Sequence, residues 1–247
     1  MDKIYKYTKN VEPHEVDYKF DMSVASMIST FQALATYHSI DLKCDYFTLK
    51  EKDNAFWVVT RVKLIIDKYP KMTDILECST WYEQPSLIRC PRVYKLASTS
   101  GDTFVTALSE WCTLDLETFR PKKLDTVSFD MSSYVEESVN ITFDKNIYEV
   151  SDADFEFDRV VRYSDLDMNM HTNNVIYSKI IMDTFSTEYL DNNTLKEFQI
   201  DYVNQSKEGE TISVYQKEIS SNFFFVVGNV IDKCIFRAYL KFDKVGD

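Results

Sequence analysis

Met22–Ile40 reads MSVASMISTFQALATYHSI. Val24, Met27, Ile28, Phe31, Leu34, Ala35 and His38 recur at helical spacing, and Asp21 or Ser23 stands where an N-cap belongs. Small and apolar residues cover most of the circumference, which predicts a buried helix. Strand-like runs follow at Ala55–Asp67, Asp74–Glu83, Arg89–Ala97 and Thr103–Leu116. Each is rich in β-branched and aromatic residues, and turn signals such as Tyr69-Pro70 and Ser100-Gly101-Asp102 separate them. About 150 residues further on the order returns. Asn173–Leu190 (NNVIYSKIIMDTFSTEYL) reads as a helix, and Lys196–Asn204, Thr211–Ile219, Phe223–Ile231 and Cys234–Phe242 read as strands. A long helix covered by an antiparallel sheet, repeated once, is an α+β pattern. The domains expected are 1–145 and 146–247, with the polar stretch Glu136–Asp158 as linker and first strand of the second unit.

Composition narrows the function. The chain has 247 residues, 45% of them hydrophobic and 28% charged, which is globular and excludes a disordered chain. Its four glycines, Gly101, Gly209, Gly228 and Gly246, are too scattered to build GxGxxG, a P-loop or a GxSxG elbow. The formal net charge is −12, so nucleic acid is not an expected partner. Residues 1–145 carry 18 basic and 22 acidic side chains and residues 146–247 carry 10 and 18, so an anionic partner is better matched by the first half. Cys44, Cys78, Cys90, Cys112 and Cys234 are odd in number with no CxxC, which reads as free thiols in a reducing compartment. Three widely separated histidines give a metal site little support. The N-terminus has neither an apolar h-region nor Arg/Ser-rich transit character, and Asn222–Ile231, the most apolar stretch, is too short to span a bilayer. A cytoplasmic location without a membrane span is therefore expected.

The chemistry concentrates in Tyr163–Tyr177, YSDLDMNMHTNNVIY. Asp165, Asp167, Asn169, His171, Asn173 and Asn174 fall within ten residues, just before an apolar helix. One reading is a solvated loop with Asn173 as N-cap. The other takes the alternation Asp167-x-Asn169-x-His171 as extended, so that an acid, an amide and an imidazole share a face. They would stand beside helix N–H groups able to polarise a carbonyl, a constellation suited to hydrolysing an activated acyl group.

These residues resemble the signature of the acyl-[acyl carrier protein] thioesterases, the plant plastid enzymes and their bacterial relatives. The resemblance runs through Asp165-Leu-Asp167-Met-Asn169-Met-His171-Thr-Asn173-Asn174-Val-Ile-Tyr177. Trp57-Val-Val-Thr-Arg61, Thr80-Trp81, Arg92-Val-Tyr94, Ser109-Glu-Trp111-Cys-Thr-Leu-Asp115 and Arg120-Pro121-Lys122-Lys123-Leu124 extend it over nearly the whole chain. It implies a double hot-dog fold of two tandem units, with a bacterial-type member as the closer comparison. It also implies hydrolysis of fatty acyl-ACP, within fatty acid biosynthesis, to free fatty acid and ACP. The substrate brings the phosphopantetheine arm, and no metal or diffusible cofactor takes part. The family's catalytic Asp, Asn and His fall on Asp167, Asn169 and His171. Its catalytic Glu falls on Gln205, with Ser206 at a neighbouring position that is Cys in plant members, and Glu208 lies three residues beyond Gln205. His171 is expected to move the proton, oriented by Asp167. Asn169 and N–H groups at the helix start hold the thioester carbonyl, and Gln205 helps place the attacking water. Alternatives are an acyl-CoA thioesterase of the same fold and a non-catalytic acyl-binding protein; association into a homodimer stays open.

Other polar and aromatic residues take plainer readings. His38 reads as a partly buried structural residue favoured by the helix dipole. His14 reads as exposed, and Trp57, Trp81 and Trp111 as sheet core. Residues 21–31 hold no counterpart of the Asp-x-Asn-x-His string, so one active site per chain is expected, with the first half packing the acyl chain. Arg120, Lys122 and Lys123, then Arg89, Arg92 and Lys95, are the basic clusters expected to meet acidic ACP.

Overall fold

The computed structural model describes residues 2–136, 138–145 and 147–246. Asn146, where the second domain is expected to begin, lies outside them, as do Met1, Glu137 and Asp247. The chain forms two compact units, Met1–Val62 with Asp67–Ile141, and Lys63–Ile66 with Thr142–Asp247.

In the first unit, β1 (Ile4–Asn10), β2 (Ala55–Ile66, of which Lys63–Ile66 count with the second unit), β3 (Ile75–Tyr82), β4 (Cys90–Ser98) and β5 (Thr103–Asp115) lie in the order β1-β3-β4-β5-β2, with a two-residue β6 (Pro121–Lys122) on β5. The central helix α1 (Val24–Asp41) starts where the Ser23 hydroxyl accepts the Ser26 N–H at 3.2 Å. Met27, Ile28, Phe31, Leu34 and Ala35 of α1 are buried, as the helix period requires. Besides the two-residue β6, two elements escaped the sequence reading. β1 (IYKYTKN) alternates side by side along its length and pairs antiparallel with β3. The short α2 (Tyr46–Asp53) is capped by Asp45, whose Oδ1 accepts the Phe47 N–H at 3.0 Å, and ends at Asn54 in the left-handed region, φ 49°.

The second unit repeats this plan. β7 (Asp154–Val160), β8 (Asn193–Tyr202), β9 (Thr211–Ser220), β10 (Phe223–Val230) and β11 (Lys233–Lys244) lie in the order β7-β9-β10-β11-β8. Position for position this is the order of the first unit, so both are hot-dogs. The helix expected over Asn173–Leu190 is broken into α3 (Asn174–Met182) and α4 (Thr187–Asn192). The break has a local cause. The Thr184 hydroxyl turns back on the Ile181 carbonyl at 2.8 Å and the Ser186 hydroxyl caps the Tyr189 N–H at 3.1 Å, both competing with helix continuation.

Two expectations in the first unit need correcting. Arg92 is 1% exposed and cannot meet a partner protein. Its guanidinium donates to the Thr80 and Ser39 hydroxyls at 3.3 and 3.2 Å, lies 4.0 Å from the Tyr82 ring centroid, and sits 3.1 Å from His38 Nδ1. His38 is buried as well, and burial followed by the Arg92 charge pushes its pKa down to about 3, so a neutral imidazole replaces the dipole-favoured cation. The other basic side chains are partly committed. Lys122 pairs with Asp115 and Arg89 with Glu110, each at 3.5 Å. Trp57 and Trp111 pack against a buried cluster, as sheet-core residues should. All five cysteines are free.

Candidate active site

Asp167, Asn169 and His171 do not lie on an extended segment. The chain from Leu166 to Thr172, which bridge each other as antiparallel partners, is a tight turn. The Asp167 N–H donates to the His171 carbonyl at 2.8 Å, the Met170 N–H donates to the Asp167 carbonyl at 3.1 Å, and Met170 takes φ 61° to close the loop. Asp167 Oδ1 accepts the N–H groups of Asn169 at 2.8 Å and His171 at 3.3 Å. Its carboxylate thus fixes the backbone under the imidazole, in place of the expected grip on the ring. Short Asp side chains suit this role because they reach N–H groups two residues on. Asn169 stands exposed at the tip, and His171 is half-buried with Nδ1 buried and without a hydrogen-bond partner.

Both flanks of the turn are pinned. Arg159 grips both oxygens of the buried Asp165 at 2.9 and 3.0 Å, and Asp165 Oδ2 accepts the Arg162 N–H at 2.8 Å. The Asn173 side chain caps α3 through the Val175 N–H at 3.0 Å. The Thr172 N–H donates to the Ser206 carbonyl at 2.9 Å, joining the turn to the loop after β8. Ser206 is fully buried. Its hydroxyl shares hydrogen bonds with Thr172 Oγ1 at 2.7 Å and Tyr177 Oη at 2.9 Å, and its N–H donates to Tyr177 Oη at 3.2 Å. Burial pushes the Tyr177 phenol up, which keeps it neutral within this network. A serine so enclosed is not placed to attack a substrate. Gln205 and Glu208 are both exposed, and the Gln205 carbonyl accepts the Lys233 ammonium at 2.8 Å.

Comparison with known proteins gives this geometry a family. Residues 2–129 match the acyl-ACP thioesterase N-terminal domain and residues 148–239 match the C-terminal domain. The chain belongs to the acyl-ACP thioesterase family. The chloroplastic palmitoyl-acyl carrier protein thioesterase of Arabidopsis thaliana is 25% identical over 211 residues, 81% of this chain and 51% of that protein. The oleoyl-acyl carrier protein thioesterase 1 of the same plant is 26% identical over 224 residues, 84% and 62%. The chain therefore spans between half and two thirds of these curated relatives. Among solved structures, an acyl-ACP thioesterase from Bacteroides thetaiotaomicron matches with TM-score 0.90 and 25% identity over 98% of both chains. The 12:0-ACP thioesterase of Umbellularia californica shares the fold, with TM-score 0.84 at 14% identity over 99% of this chain and 98% of its own.

A feature that the sequence reading missed is a second copy of the turn, in the first unit of this acyl-ACP thioesterase family member. Val16 and Met22 bridge as Leu166 and Thr172 do. The Asp17 N–H donates to the Asp21 carbonyl at 2.8 Å, Phe20 takes φ 62°, and Asp17 Oδ1 accepts the Lys19 and Asp21 N–H groups at 2.8 and 3.2 Å. Every step lies 150 residues before its partner, so Asp17, Lys19 and Asp21 occupy the places of Asp167, Asn169 and His171. No Asp-x-Asn-x-His string marks this copy, which lies at Asp17–Asp21, because only the first Asp, which makes the turn, is retained. Across the first unit's turn, Met22 donates to the Pro70 carbonyl at 2.7 Å as Thr172 does to Ser206, which makes Tyr69 the counterpart of Gln205. Burial, then the charges of Asp17 and Asp21, push the Tyr69 phenol up.

Proposed function

We propose that this protein hydrolyses the thioester of fatty acyl-ACP to free fatty acid and ACP, with its reacting groups on the second unit. The observation that carries the reading is the position of His171. It stands on a turn whose backbone Asp167 fixes, joined through Thr172 and Ser206 to the loop that bears Gln205. His171 accepts the proton of the attacking water, and Asn169 with N–H groups at the start of α3 stabilises the oxygen that becomes negative. Gln205 positions the water by accepting one hydrogen bond and donating another. The hydrogen bond from Thr172 to Ser206, the residue next to Gln205, supports Gln205 over Glu208. Direct attack by water is supported by the enclosure of Ser206. In this reading residues 1–145 and 146–247 are two working domains, the first packing the acyl chain, and the five free thiols favour a reducing compartment such as the cytoplasm.

One observation favours a second reading. An amide at position 205, where the family resemblance calls for a carboxylate, fits a protein that binds acyl-ACP without cleaving it. Released thiol measured across a panel of acyl-ACP and matched acyl-CoA substrates separates these. Turnover several-fold higher on acyl-ACP supports the proposal. Faster acyl-CoA cleavage would make the protein an acyl-CoA thioesterase, and acyl-ACP binding without released thiol would make it an acyl-binding protein.

A further inference from the structure

The two copies of the turn share a partner loop as well as a backbone. In the first unit, the Val11 N–H donates to the Asp74 carbonyl, the Thr73 N–H to the Val11 carbonyl and the Asp74 N–H to the Lys71 carbonyl, each at 2.9 Å. In the second unit, Val161 donates to Glu210 at 2.9 Å, Gly209 to Val161 at 3.0 Å and Glu210 to Lys207 at 3.1 Å. The acidic side chains repeat too: Asp74 accepts the Lys71 N–H at 2.8 Å, and Glu210 accepts the Lys207 N–H at 2.7 Å. Thr73 and Gly209 both have positive φ, 74° and 82°. Lys71 and Lys207 therefore leave the backbone at the same place and are held by the same bonds.

What differs is the partner of the ammonium. Lys71 reaches across to the turn and forms an ion pair with Asp21. Asp21 is the counterpart of His171, so the carboxylate that neutralises this lysine in the first unit is missing from the second. Lys207 is exposed and makes no ion pair among the described residues. The hydrogen bond from Thr172 to the Ser206 carbonyl, at 2.9 Å, sets His171 and Lys207 one residue to either side of it.

We propose that Lys207 is a further catalytic residue, whose ammonium turns onto the His171 turn and binds the thioester oxygen as it becomes an oxyanion. This rests on the hydrolytic reading above. Water adds to the carbonyl carbon, its proton passes to His171, and the carbonyl electron pair moves onto the oxygen that Lys207 holds. The pair then re-forms the double bond, the carbon–sulfur bond breaks, and the thiolate takes the proton from His171. Lys207 contributes charge and returns unchanged. A cation at developing negative charge lowers the barrier because it binds the transition state more strongly than the neutral thioester.

The test compares Lys207→Gln, Lys207→Arg and Lys71→Gln in the full chain, reading kcat and KM on acyl-ACP together with Tm. Loss of one oxyanion-stabilising group costs roughly 10²- to 10³-fold in kcat, with KM changed far less. Lys207→Gln is expected to show that loss at unchanged Tm, and Lys207→Arg to recover most of it. Lys71→Gln should lower Tm and spare kcat, because its ion pair is structural. Wild-type kcat in Lys207→Gln overturns the assignment, and so does an equal loss in Lys207→Arg. An active wild type with an indifferent Lys207 removes this role alone, whereas a wild type that releases no thiol removes the hydrolytic reading and this role with it.

Discussion

At position 205 the choice between amide and carboxylate decides which groups titrate during the reaction. A Gln amide holds a water and accepts no proton near neutrality, whereas a Glu in the same place would add a base. Gln205→Glu is expected to raise kcat or add a second titrating group to its pH profile, and Glu208→Gln to leave both unchanged. Measuring kcat against pH for the two variants checks this; the reverse pattern would move the catalytic position to Glu208. A second residue-scale prediction concerns His38. Its imidazole, ordinarily near 6.5, is held at about 3 by burial and the Arg92 guanidinium. Between those values the unfolded chain binds a proton that the folded chain does not. Stability is therefore complete above the ordinary value and declines as pH falls towards about 3. His38→Gln should remove close to one proton from the pH slope of the unfolding free energy in that window, as read by denaturant titration. An unchanged slope would show that His38 takes up a proton in the folded state. The residues of the site were legible as a string of polar types, but their geometry was not. Alternation suggests a strand, and only the capture of two N–H groups by Asp167 makes it a turn. The depressed His38 was hidden for a similar reason: nothing local in the sequence places Arg92 against it.

The elements that hold the site show how far periodicity carries. Buried α1 and the long strands were legible because their apolar residues recur at helical or strand spacing over many positions. The polar side chains that end α3 at Met182 act one at a time and leave no period. β10 adds a prediction at this scale. A methyl group at Gly228 would stand 2.3 Å from Phe236 Cε1 and 3.0 Å from Ile212 Cγ2, far inside contact. Phe236 packs on Tyr177 with ring centroids 5.5 Å apart, and Tyr177 anchors Ser206 beside the turn. Gly228→Ala should therefore cost about 1–3 kcal/mol of stability, the usual penalty of overpacking a sheet core. The displaced Phe236 should also reduce turnover. A thermal unfolding curve and a thiol-release assay on the same preparation measure both effects, and unchanged values for both would mean that the sheet yields without moving Tyr177.

Across the whole molecule, duplication organises the division of labour. One strand order, one turn and one partner loop occur twice, and only the second copy carries an amide and an imidazole on its turn. The first copy keeps the Asp that builds the turn and carries, in place of the imidazole, Asp21, which pairs with Lys71. The repeat itself was legible from the order of helix and strands. The second turn was not, because its backbone is retained while its chemistry is exchanged. The central claim is that the second turn cleaves fatty acyl-ACP. The most direct measurement is steady-state thiol release from acyl-ACP by the wild type and by His171→Ala, with circular dichroism to compare folding. The account predicts turnover by the wild type and a loss of roughly 10²- to 10⁴-fold in the variant at unchanged fold. Near-normal turnover in a folded His171→Ala protein would contradict it.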